Sequence, residues 1–309
     1  MRLSITKCHG SGNDFALIDA RDLALDDADW AQVARALTDR AGPVGGDGIL
    51  LLTGADAEAA FGMRIFNADG SEPETCLNGL RCIARAGLEA TGQPSAHVRL
   101  KTSHADVARD ADLAAGVYTV RETAGPASLD VRAWPLDGEG DEIREAVIAR
   151  LSPDLRFTAV AMPNPHLIAF VDRVDEAELV RIGEICEGAP AWLPNRANVS
   201  FVELRDADTL YVRTFERGVG LTNACGSAMG AATFVAGLTG RLPFDRTVTV
   251  RNRGGLVRAS ASEAGMVTLS GNATVEWTGT VTIDLAQGTA HDLAVTQRHP
   301  EEIAAWAAI

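Results

Sequence analysis

Two of the chain's five cysteines, Cys76 and Cys225, occupy positions where a thiol can do chemistry. Each follows a turn-rich loop, Asp69-Gly70-Ser71 before Cys76 and Gly218-Val219-Gly220 before Cys225. Each immediately precedes a predicted helix, opening at Leu77-Asn78-Gly79 in one case and at Gly226-Ser227 in the other. A helix N-terminus leaves backbone N–H groups unsatisfied and carries the positive end of the dipole. A thiolate is stabilised there, so the cysteine pKa is expected to fall toward neutrality, and the same N–H groups suit a carboxylate. If two such helices aim at one point in a cleft, an amino acid with its carboxylate at that point has a thiol on each face of its α-carbon. One thiolate removes the α-proton while the opposite thiol returns a proton to the other face. The developing enolate charge falls on the carboxylate, where the amides stabilise it. That is stereoinversion with no pyridoxal phosphate, other cofactor or metal.

The remaining cysteines read differently. A free cysteine is most often a small buried hydrophobe, which suits Cys8, Cys186 and Cys82, the last on the buried face of the first helix. No CxxC pair occurs and the six histidines do not cluster with the cysteines, so no metal site is expected. An odd cysteine count behind a start, MRLSITKCHG, that has no apolar leader points to a reduced, cytoplasmic protein. The formal net charge of −14 repels phosphate backbones and argues against nucleic-acid binding, and no apolar run suits a membrane span. The sequence leaves a homodimer open.

The elements that must hold these residues are written twice. MRIFNADGSEPETCLNGLRCIARAG, from Met63, lies beside YVRTFERGVGLTNACGSAMGAATFVAG, from Tyr211. Arg64 and Arg213 each stand twelve residues before their cysteine, Phe66 and Phe215 ten before, and Asn67 and Glu216 nine before. Upstream, Asn13 matches Asn164 and Asp47 matches Asn198, both at an offset of 151 against 149 for the cysteines. Matched landmarks in one order predict two copies of one domain. Alternating runs at Leu3–Ile5, Phe15–Ile18, Ile49–Leu52, Met63–Phe66, Leu167–Val171, Val199–Leu204 and Tyr211–Phe215 read as strands. Trp30, Val33, Ala34 and Leu37 mark one face of a surface helix. Asn78–Ala90 is rich in Ala, Leu and Gly, and Ser227–Leu238 is small and apolar nearly all round, a pattern that predicts a buried central helix in each half. The fold class is therefore α/β and duplicated, with each half a mixed or antiparallel sheet closed around a central helix. Glu122–Asp130, with Gly125 and Pro126, is the expected boundary.

The segments KCHGSGNDFALID, FNADGSEPETC-x-NG-x-RC, PNPH, PNRANVSF and FERGVGLTNACGSA together resemble diaminopimelate epimerase, over Lys7 to about Ile283. The resemblance implies two similar α/β domains: an N-terminal half over 1–124 completed by a returning strand in 275–285, and a C-terminal half over 125–274. It leaves 286–309 as an extension with no assigned function. It implies a cofactor-free interconversion of LL- and meso-diaminopimelate for lysine and peptidoglycan synthesis, with Cys76 and Cys225 as the acid/base pair. The amides of Leu77, Asn78, Gly226 and Ser227 would bind the reacting carboxylate. Asn13, Asn67, Asn164, Asn198, Glu216 and Arg217 would hold the amino groups and the distal carboxylate. This set suits a doubly zwitterionic ligand, since Arg217 offers a planar fork and the asparagines both donate and accept. Asp47 reads as a turn residue and His166 as a structural hydrogen-bonding group. Leu77 and Pro163 replace glycines usual in the family, and Leu221 stands where glutamate is frequent, which bears on the choice of substrate. The alternatives are a related racemase acting on another amino acid, against which Arg217, Asn67 and Asn198 speak, and a non-catalytic amino-acid-binding homologue.

Overall fold

The computed structural model describes residues 1–137 and 140–309. In chain order the elements are β1 (Arg2–Gly10), β2 (Asn13–Asp19), α1 (Asp27–Thr38), β3 (Gly48–Thr53), β4 (Phe61–Asn67), α2 (Leu77–Thr91), β5 (Ser95–Arg99), β6 (His104–Asp110) and β7 (Thr119–Ala124). There follow β8 (Ala146–Val147), β9 (Arg156–Ala161), β10 (Pro165–Phe170), α3 (Glu176–Glu187), β11 (Asn198–Asp206), β12 (Thr209–Glu216), β13 (Gly220–Leu221) and α4 (Gly226–Leu238). The chain closes with β14 (Val248–Asn252), β15 (Gly255–Ala261), β16 (Val267–Asn272), β17 (Thr274–Asp284), β18 (Thr289–Arg298) and α5 (Pro300–Ala307). They form two units, Met1–Glu122 with Ser270–Ile309, and Thr123–Leu269.

In the first unit β1 pairs antiparallel with β2, β2 parallel with β3, β3 antiparallel with β4, β4 parallel with β5, and β5 antiparallel with β6. The second unit repeats that alternation through β9, β10, β11, β12, β14 and β15. The duplicated α/β fold is thus written in the pairing pattern as well as in the residues. The register corrects the internal match by one residue. Ile49 faces Phe66 and Val199 faces Phe215, so Asn198 takes the place of Gly48 rather than of Asp47. The offset there is 150, because one residue separates the two copies between β2 and β3.

Each sheet wraps a central helix. Helix α2 packs against β1 to β6, and α4 against β9 to β12, β14 and β15. Every residue of α4 from Gly226 to Ala236 is buried. Glycines allow the close approach: a Cβ on Gly79 would lie 2.7 Å from Leu50 Cδ2, and one on Gly87 would strike the Phe61 ring. Leu80 and Ile83 on α2 are fully buried, each contributing about 1.5–3 kcal/mol of transfer free energy. Helix α1 covers the outer face of the first sheet through Trp30, Val33 and Leu37, and α3 covers the second through Leu179, Ile182 and Cys186. Residues 286–309 are ordered structure of the first unit: β18 pairs antiparallel with β17, which in turn pairs with β1.

Candidate active site

The two central helices begin differently from the covering ones. Asp26 caps α1 through a bond from the Asp29 amide, and Asp175 caps α3 from the amides of Ala177 and Glu178. Such caps satisfy the first N–H groups. In α2 and α4 the cap residues are Cys76 and Cys225, in extended conformation and without a side-chain cap bond. The opening amides of Leu77 and Asn78, and of Gly226 and Ser227, thus lie in the turn where the helix supplies no acceptor. That arrangement places the first-turn N–H groups beside a thiol at each of the two helix entrances.

In the first unit Cys76 is half-buried and its thiol donates to Asn13 Oδ1 at 3.7 Å. Asn13 Nδ2 donates in turn to Asp47 Oδ2 at 2.6 Å, and the Asp14 amide donates to the same oxygen at 3.1 Å. Arg40 spans Asp47 and Asp14 at 2.7 Å each. Asp47, read from sequence as a turn residue, is therefore the group that fixes Asn13. Asn67 ends β4, and its side chain donates to Ser71 Oγ at 3.0 Å. Leu77 is buried, so its bulk is taken up inside the unit while its amide stays at the helix entrance. Asn78 is buried and its Oδ1 accepts from Arg81 Nη2 at 2.7 Å. Arg81, the arginine of the NG-x-RC motif to which the sequence assigned no role, is fully buried and pairs with the equally buried Glu122 at 2.7 Å. Burial pushes the Glu122 carboxyl up to about 7, against the lowering effect of Arg81. The arginine in the LRC run of the α2 opening, facing inward beside Cys82, was the available signal.

In the second unit Cys225 is buried, and its sulfur lies 3.5 Å from Ser227 Oγ. Ser227 Oγ is 3.1 Å from His166 Nε2, which lies 3.0 Å from Asn164 Oδ1. His166 Nδ1 is buried without a partner among the described residues. A bare ring nitrogen is cheaper to bury unpaired than an N–H, which favours the tautomer with the proton on Nε2 donating to Asn164. The Ser227 hydroxyl is then available to donate to the Cys225 sulfur. Burial holds the His166 ring neutral, lowering its pKa to about 3, with Arg217 adding to the effect. Asn198 Oδ1 accepts from the Arg217 amide at 2.9 Å, Arg217 Nη1 donates to Asn195 O at 3.2 Å, and Thr222 Oγ1 donates to Glu216 Oε1 at 2.5 Å. Asn164 and Ser227 thus belong to one chain of contacts leading to Cys225, Asn198 and Arg217 are bonded to each other, and Glu216 acts on the thiol through its charge. Pro163 is exposed in the turn closed by the Met162 amide on Asn164 O, and Leu221 is exposed on β13.

One expectation is overturned here. The Cys225 thiol is pushed well above its ordinary pKa, first by burial and then by the Glu216 carboxylate. Ser227 and the Ala228 amide lower it, but they do not offset desolvation. The helix end is present, yet Cys225 rests as a thiol. Cys8, Cys82 and Cys186 are buried. Among the described residues no cluster of His, Cys, Asp and Glu is placed to hold a metal ion, and no helix is long and apolar enough to cross a membrane.

Two copies of one α/β unit, each closed around a helix, define a fold shared with solved structures of low sequence identity. A Bacillus anthracis phenazine biosynthesis protein of the PhzF family superposes with a TM-score of 0.67 at 15 % identity, covering 92 % of this chain and all of that one. A hydroxyproline epimerase from Agrobacterium vitis superposes with 0.61 at 16 %, covering 93 % and 94 %. The sequence narrows this to a family. The family model for diaminopimelate epimerase matches residues 5–119 and 158–276. The diaminopimelate epimerase of Clostridium acetobutylicum is 40 % identical over 92 % of this chain and 87 % of its own, and that of Listeria innocua is 36 % identical over 97 % and 94 %. The chain belongs to the diaminopimelate epimerase family.

Proposed function

We infer that this protein is a cytoplasmic, cofactor-independent epimerase that interconverts LL- and meso-2,6-diaminopimelate, a step toward lysine and peptidoglycan. The observation that carries the reading is the pair of central helices that begin at a cysteine while the covering helices begin at aspartate. In this reading the substrate's reacting carboxylate takes the amides of Leu77, Asn78, Gly226 and Ser227. Cys76 and Cys225 exchange protons with opposite faces of the α-carbon, and enolate charge is stabilised at the two helix entrances. Arg217 supports the distal carboxylate with a planar fork, while Asn13, Asn67, Asn164, Asn198 and Glu216 hold the two ammonium groups and that carboxylate.

The raised Cys225 pKa sets the order of events. Cys225 starts protonated, so the direction in which it donates begins from the resting state. The reverse direction requires its deprotonation. A substrate ammonium on Glu216 neutralises part of the charge that holds the thiol up. The test is incubation of reduced protein with LL-diaminopimelate and no added metal or pyridoxal phosphate, followed by chiral chromatography. Appearance of the meso isomer is expected. Inversion of proline or trans-4-hydroxy-L-proline with no action on diaminopimelate would transfer the assignment to a related racemase.

A further inference from the structure

Beyond residue 276, where the family match ends, β18 and α5 have no part in the chemistry above. Their contacts nevertheless lead to Cys76. Strand β1 ends in a turn in which Ser11 has φ 52° and Gly12 φ 76°. A non-glycine residue in that region persists only where its surroundings over-determine it. Here they do: the Ser11 amide donates to Asn272 Oδ1 at 2.7 Å, Arg81 Nη2 donates to Ser11 Oγ at 3.1 Å, and the Gly12 amide donates to His9 Nδ1 at 3.3 Å. Asn272 Nδ2 lies 3.2 Å from the same His9 nitrogen. The next residue is Asn13, the acceptor for the Cys76 thiol. His9 Nδ1 must therefore remain an acceptor, which a protonated ring cannot be. The Trp306 indole of α5 lies against the His9 ring, with centroids 5.9 Å apart and planes tilted by 57°. Helix α5 is held there by Glu302, which grips Arg85 of α2 with two bonds of 2.6 and 2.9 Å and accepts from the Val275 amide at 3.0 Å.

We propose that α5 is a positioning element of the first half-site, with Trp306 shielding His9 so that the Gly10–Asn13 turn keeps Asn13 on Cys76. Burial lowers the His9 pKa to about 4; Asp14 and Glu302 oppose that fall, while Arg81 and Lys7 support it. Without the indole, water reaches the ring and its pKa returns toward about 6.5. Protonation then ends the bond from Gly12 and frees the turn.

The inference rests on the epimerase reading, and the experiment separates the two. In full-length wild type, Trp306→Ala and Trp306→Phe, kcat and KM for diaminopimelate and the alkylation rate of Cys76 by iodoacetamide, mapped by peptide, are followed from pH 5 to 8. Trp306→Ala is expected to acquire an acid limb near pH 6, with kcat reduced about tenfold below it relative to wild type and KM changed less. Its Cys76 alkylation should bend at the same pH, and Trp306→Phe should restore the wild-type curves. If Trp306→Ala does not fold, Trp306→Leu takes its place with the same expectations. Profiles of kcat and alkylation that both follow wild type overturn the proposal. A new alkylation limb in a protein inactive on diaminopimelate in every form supports the proposal and defeats the epimerase reading.

Discussion

At the residue scale the two half-sites are alike in plan and unlike in electrostatics. Cys76 is half-buried beside a neutral asparagine, whereas Cys225 is buried beside a serine and near a glutamate. In the proposed two-base reaction both thiols act, so Cys76→Ser and Cys225→Ser should each lower kcat by about 10²-fold or more, measured by chiral assay in folded variants. Asp47 touches no reacting atom in this account but orients Asn13, so Asp47→Ala should cost about tenfold in kcat with little loss of thermal stability. Unchanged turnover would remove Asp47 from the positioning of the site. Cys76 with Cys225 and Asn13 with Asn164 were legible as candidates because the repeat marks each pair twice. The Cys225 pKa was not, because sequence shows the helix end that lowers it and hides the tertiary burial that raises it. The role of Asp47 beside Asn13 was hidden for a related reason: between glycines it reads only as a turn former, and its bond to Asn13 spans 34 residues.

At the scale of elements, the small-residue pattern of α2 and α4 was readable as burial, and the strands marked by alternation lie in β1 to β4 and β10 to β12. The tail was unreadable as structure, since β18 is mostly exposed and offers no clean alternation. Close packing of α2 makes a sharp prediction. Gly87→Ala drives a Cβ into the Phe61 ring and should destabilise the protein by about 1–3 kcal/mol, seen as a lower denaturation midpoint. Gly92→Ala has open space for its Cβ but sits at φ 67° as the α2 C-cap, so its cost should come from the left-handed backbone, about 1 kcal/mol. Equal midpoints for Gly87→Ala and wild type would mean that Phe61 yields without cost.

At the scale of the whole molecule, duplication supplies two thiols from one design, and the copies differ at buried positions: fully buried His166 stands where the first copy has Phe15. Buried histidine ties stability to pH. The folded-state pKa of His166 is about 3, below an unfolded value of about 6.5. The folded protein thus binds fewer protons in that window, and stability is full above about 6.5 and lost as pH falls toward 3. His166→Gln should weaken the pH dependence of the denaturation midpoint by about one proton; an unaltered dependence would contradict a neutral buried ring. The central claim is two-base inversion at one carbon, and heavy water tests it most directly. LL-diaminopimelate and meso-diaminopimelate are each incubated in deuterium oxide with wild type, Cys76→Ser and Cys225→Ser, and solvent deuterium is followed in substrate and product by mass spectrometry after chiral separation. The account predicts that in wild type the inverted product carries deuterium from the outset, and that each variant impairs exchange from one isomer more than from the other. Inversion by wild type without deuterium in the product, or equal loss of exchange from both isomers in both variants, would contradict it.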